Sequence, residues 1–160
     1  MTYQTTASQA AINTPDTILI GIGNSGRQDD GLGWAFLDAV KEKGLFKGEI
    51  IYRYQLQIED AEMISHARQV IFVDAFAGEL ESGFKWKNGR PSRDFAFTTH
   101  VLPPEAILFL CEDLYGKTIP AKVMLLEGKE WELEMGITEE AQEHLGRAVS
   151  FFHNLLKPEK

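Results

Sequence analysis

The sequence has a single cysteine, a deficit of basic residues (16 against 24 acidic) and no apolar run approaching the ~18 residues that span a bilayer. Each shortage excludes something. Cys111 alone can form neither an internal disulfide nor a multi-cysteine zinc site, so a reducing, cytoplasmic location is expected. A net charge of −8 opposes non-specific attraction to nucleic acid and to anionic membrane, and neither is expected as a partner. The polar start lacks the basic opening and apolar middle of a signal peptide. Residues 1–15 are expected to form a flexible N-terminal arm and residues 16–160 a single domain, long enough to bury a core. With no repeat or linker in view, a monomer is the default.

What is present alternates between two periods. Thr17–Gly21, Glu49–Leu56, Gln69–Asp74 and Ala121–Glu127 are short aliphatic or β-branched runs that read as strands. Between them, Leu32, Ala35, Phe36, Ala39 and Val40 repeat at helical spacing before Gly44. Glu59–Ala67 reads as a short helix. Pro103-Pro104 opens another that Gly116 can end, and Thr138 is a candidate N-cap for a closing helix to Leu156. Asn88-Gly89, between aromatic pieces, reads as a hairpin turn. Such alternation predicts an α/β doubly wound three-layer sandwich, with a mostly parallel sheet and a short hairpin insertion.

The glycines of Ile18–Gly33 (ILIGIGNSGRQDDGLG) raise two rival readings. Gly21, Gly23 and Gly26 match the dinucleotide-binding G-x-G-x-x-G, but the helical period starts late, Asp29 and Asp30 would repel a pyrophosphate, and no acid closes the second strand. Gly23–Arg27 approximates a nucleophile elbow around Ser25 but lacks its last glycine.

The remaining reading is a carboxylate site. If the first and third strands are neighbours, in the order 2-1-3, Asp30 after one and Asp74 at the end of the other converge on the carboxyl edge of the sheet, with His100 in a nearby loop. Two aspartates and a histidine suit a divalent transition ion such as nickel, zinc, iron or manganese. Each has a plain alternative: Asp30 as a helix cap, Asp74 as acceptor of loop amides, His100 as a hydrogen-bonded loop residue. Cys111, inside an apolar helical stretch, reads as a buried structural thiol. His144 and His153, nine residues apart on the closing helix, read as exposed or satisfied side chains.

These residues resemble the hydrogenase maturation proteases over about Thr17–Leu156. The motifs are Ile18-Leu-Ile-Gly-Ile-Gly-Asn24 with Asp29-Asp30-Gly31-Leu-Gly33, Val73-Asp74-Ala75, Thr98-Thr-His100, and Glu134-Met-Gly-Ile-Thr138. The resemblance implies an aspartic-type endopeptidase that removes the C-terminal extension of the [NiFe] hydrogenase large subunit after nickel insertion. The nickel-loaded precursor is then the partner, and nickel, supplied by the substrate, is the recognition element; other divalent ions can occupy the site. It implies Asp30, Asp74 and His100 as metal ligands and Asp30 or Asp74 as the catalytic base, the choice between them left open. The loop carrying Gln55, Gln57 and Glu59 departs from the Gly-Thr-rich loop common in the family and is expected to contact substrate. The rivals are a nucleotide-binding module and a relative that binds a metallated partner without cutting it.

Overall fold

The computed structural model describes residues 12–94 and 102–158. Inside the sheet lies β1 (Thr17–Ile22), every residue of which is buried. A nearly all-apolar strand with no solvated face needs partners on both sides. It has them in β2 (Glu49–Arg53) and β3 (Gln69–Phe76), both parallel to it. Beyond β3 run β5 (Ala121–Glu127), parallel, and β4 (Phe84–Gly89), antiparallel at the edge, giving the order β2-β1-β3-β5-β4. The expected 2-1-3 order is therefore the observed one.

Helices cover both faces, as the strand period of two requires. Leu19, Ile71, Val73, Met124 and Leu126 pack against α1 (Leu32–Lys43) and α4 (Glu139–Leu156), where Phe36 and Phe152 meet edge to face at 5.3 Å. Ile18, Ile20, Val70, Phe72 and Val123 point the other way, against α2 (Glu59–Ile64) and α3 (Pro104–Tyr115). Gly44 and Gly116 end α1 and α3 in left-handed conformation, and Thr138 caps α4 by accepting from the Ala141 amide, all as expected. No helix among the described residues is long and apolar enough to cross a membrane.

Some local expectations change. Asn88 and Gly89 do not form a hairpin turn; they lie inside β4, paired with Lys122 and Ala121 of β5. Cross-strand pairing and the packing of Trp86 on Phe151 and Phe152 outweigh the local turn preference. β2 stops at Arg53, three residues early, and α2 at Ile64. Of the expected arm 1–15, residues 1–11 lie outside the described residues. The described remainder is tied down: Ile12 is buried, and the Asn13 amide donates to the carbonyls of Leu45 and Leu156.

Candidate functional site

Because β1 and β3 are adjacent and parallel, the chain leaves both at the same edge of the sheet. Asp74 stands in β3, paired with Leu125 of β5. Asp30 belongs to a 3-10 turn, Gln28–Gly31, that leads into α1 and packs against β3. Two glycines permit that close approach. A Cβ on Gly23 would fall 2.1 Å from the Asp30 carbonyl oxygen, and one on Gly33 would fall 2.5 Å from that of Ile22 and 2.9 Å from that of Val73. No side chain fits at either position.

The two carboxylates sense each other. Burial pushes the Asp74 carboxyl up and the charge of Asp30 pushes it further, to about 7, against the pull of the Ala75 amide that donates to its Oδ1 at 2.8 Å. Burial also raises Asp30, while the Arg27 guanidinium draws it back. Asp30 has no side-chain hydrogen bond, and Asp74 has only the one from Ala75, among the described residues. A half-desolvated carboxylate pair with few donors has two ways to relieve its repulsion, sharing a proton or binding a cation. As a donor set it fits a divalent ion. His100, the third expected ligand, lies outside the described residues.

Asp29 has a different role. It is fully buried, and its carboxylate accepts from the amides of Lys129 (2.6 Å), Glu130 (3.0 Å) and Thr138 (2.8 Å) and from the Thr138 hydroxyl (2.8 Å). Burial alone would raise this carboxyl, but the donors of Thr138, Lys129 and Glu130 outweigh it and leave it below the ordinary range. Neighbouring bonds extend the clasp: Gln28 N–H donates to Glu134 O, Glu132 N–H to Gln28 Oε1, and Arg27 Nη2 to Trp131 O. Residues 27–29 thus hold the whole β5–α4 loop, 128–138. The cap expectation is corrected, since neither aspartate caps α1: Gly31 is its N-cap and makes no side-chain bond.

Most amides of the glycine-rich turn are already engaged within the protein and are turned away from a phosphate role. Asn24 N–H donates to Asp30 O, Gly26 N–H to Asn24 Oδ1, Arg27 N–H to Asn24 O and Gly23 N–H to Arg53 O. Gly21 is a packing position, where a Cβ would meet Leu37 at 2.6 Å. Ser25 is exposed, and no histidine bonds it among the described residues.

The loop after β2 forms one wall of this edge. Arg53 O accepts from the Trp34 indole at 3.0 Å, and the Arg53 guanidinium pairs with buried Asp60 at 3.0 Å. Asp60 also accepts from the Gln57 amide, and Leu56 bridges to Leu102. Gln57 and Glu59 are exposed and Gln55 half-exposed on this wall, beside Tyr54. The loop 128–138 presents Leu133 and Met135, 82% and 76% exposed, in alternation with Glu132 and Glu134.

A second group with metal-binding donors was not anticipated. Glu127, Glu140 and His144 offer ligand atoms all within 4.8 Å of one another. His144 was expected to be exposed or satisfied and is buried, its Nδ1 on the Glu127 carbonyl at 2.8 Å. His153 departs from that expectation: it is buried, with Nε2 unpaired among the described residues, and burial lowers its pKa. Cys111 is a buried free thiol, as expected, pushed up by burial.

Neither protein-family profiles nor curated proteins match this sequence. Solved structures do match in fold. HycI of Thermococcus kodakarensis KOD1, a [NiFe] hydrogenase maturation protease, superposes with a TM-score of 0.68 at 22% identity, over 90% of this chain and 94% of that one. HybD of the same organism, also a [NiFe] hydrogenase maturation protease, gives 0.61 at 19% identity over 88% and 99%. The hydrogenase maturating endopeptidase HybD of E. coli gives 0.65 at 14% identity over 84% and 88%. At these identities the likeness is one of fold.

Proposed function

We propose that this chain is an endopeptidase of the hydrogenase maturation type, removing the C-terminal extension of a nickel-loaded [NiFe] hydrogenase large subunit. In this reading it acts in the cytoplasm as a monomer. The observation that carries the proposal is the pair Asp30 and Asp74, close enough for the charge of one to raise the other and short of donors among the described residues, at the edge of a fold shared with such proteases.

In this reading nickel belongs to the substrate, and Asp30, Asp74 and His100 dock onto it. A carboxyl titrating near neutrality suits a general base; Asp74, raised to about 7, is the candidate this favours, and Asp30 is raised by burial as well. The base takes a proton from the water that attacks the scissile carbonyl. Gln55, Gln57 and Glu59, together with Leu133 and Met135, then grip the polypeptide.

The test is to incubate the protein with precursor large subunit, with and without nickel, and to weigh the product. A C-terminal fragment lost from the loaded form alone is the expected result. Loaded precursor that binds but stays whole would leave a docking relative in place of a protease.

A further inference from the structure

The group at the end of β5 makes use of chemistry that the proposed cleavage leaves unused. Glu127 closes the strand and is 5% exposed. Its Oε1 accepts from the Leu80 amide at 2.7 Å, and its Oε2 holds the Lys129 ammonium at 2.6 Å. Glu140, in the first turn of α4, reaches the same ammonium at 3.3 Å. His144 follows one turn later, on the same helix face.

The state of His144 is fixed by its partner. A carbonyl only accepts, so the contact of Nδ1 with Glu127 O puts a proton on Nδ1, and in the neutral ring the lone pair is then on Nε2. That nitrogen has no hydrogen-bond partner among the described residues, although His144 is only 6% exposed. The ring is also wedged: a Cβ on Gly83 would lie 2.3 Å from its Cδ2 and 3.0 Å from Nε2. An imidazole whose Nδ1–H is spent on a backbone carbonyl and whose Nε2 is free is the form in which histidine ligates metals. The cavity in front, about 560 Å³, is lined by the carboxylates of Glu79, Glu81, Glu127 and Glu140 against the cations of Lys129 and Arg147. Its walls are two positive charges short of neutrality.

We propose that Glu127, Glu140 and His144 bind one divalent first-row transition ion of the zinc class, which displaces the Lys129 ammonium on entering. One imidazole and two carboxylates select such an ion over magnesium or calcium, which prefer all-oxygen sites. Ligand atoms within 4.8 Å need to close by about 1 Å for tetrahedral bonds of about 2.1 Å, and the exposed, flexible Glu140 supplies that movement. The fourth position faces the cavity. The ion would join β5 to α4 at the root of the loop 128–138.

Cobalt is the probe, because a site of this kind gives it a visible absorption band. The tag-free Asp30→Asn/Asp74→Asn double variant is titrated with Co²⁺, so that the other carboxylate pair contributes no ligands and the outcome is independent of precursor cleavage. The expected result is one Co²⁺ per chain, an affinity at least tenfold weaker after adding Glu140→Gln, and one several-fold tighter after adding Lys129→Ala. Far-UV circular dichroism confirms that each variant is folded. An absent band in the folded double variant, or a band indifferent to both further substitutions, would identify the group as a lysine-bridged ion cluster and overturn the proposal.

Discussion

Asp29 and the Asp30–Asp74 pair set carboxylates on the same edge of the sheet, and they differ in their supply of donors. Asp29 collects four hydrogen bonds from three residues of one loop. It stays ionised although fully buried, because those donors satisfy it. One residue on, Asp30 has none among the described residues, and Asp74 has a single amide there and a like charge for company. The first region is built for stability, and the second is the one to which the proposed function assigns reactivity. Adjacent identical residues thus serve opposite ends, and the difference lies in what the distant chain brings to each.

The sharpest way to break this comparison is to neutralise the reactive side. Asp74→Asn is expected to lower precursor cleavage by about 10²–10⁴-fold, the contribution of a positioned acid–base group, with the fold intact. Wild-type cleavage rates in this variant would remove Asp74 from the chemistry. On the anchoring side, Asp29→Ala leaves three part-buried amides without their acceptor and is expected to cost about 2–3 kcal/mol, read as a lower urea midpoint. A loss within error would mean that water replaces the carboxylate there.

The pH dependence of stability separates the two regions by sign. Asp74 is raised when folded, so its contribution is full below the ordinary carboxyl value of 3.8 and is lost as pH rises through about 7, at up to about 1.4 kcal/mol per pH unit. Asp29 is lowered, so its contribution is present above 3.8 and is lost as pH falls through its folded value. Urea unfolding of metal-free protein from pH 3 to 8 should lose its neutral-side slope in Asp74→Asn and its acid-side slope in Asp29→Asn. Thr138→Val removes one donor to Asp29 and the cap of α4 together, and about 1–2 kcal/mol should follow in the same assay. Leu133→Ser with Met135→Ser should move stability by no more than about 0.5 kcal/mol while weakening precursor binding several-fold, measured by titration.

Much of this was legible in the residues. Aliphatic runs marked β1, β3 and β5, and the parallel neighbourhood of β1 and β3 is what brings Asp30 and Asp74 to one edge. Asn88-Gly89 misled because a turn preference is local, whereas β4 is held by its pairing with β5. The role of Asp29 was hidden because its donors lie about 100 residues away. The Glu127–Glu140–His144 group left one visible trace, a glutamate and a histidine four apart on a helix. Its third member comes from a strand, and no helical spacing points to it.

The clasp of residues 27–29 on the loop 128–138 bears on engineering. That loop is no independent appendage to be traded for another protein's in order to redirect partner choice. Its shape is written partly in a turn on the opposite side of the sequence, and a transplanted loop will hold its form only if the matching turn travels with it.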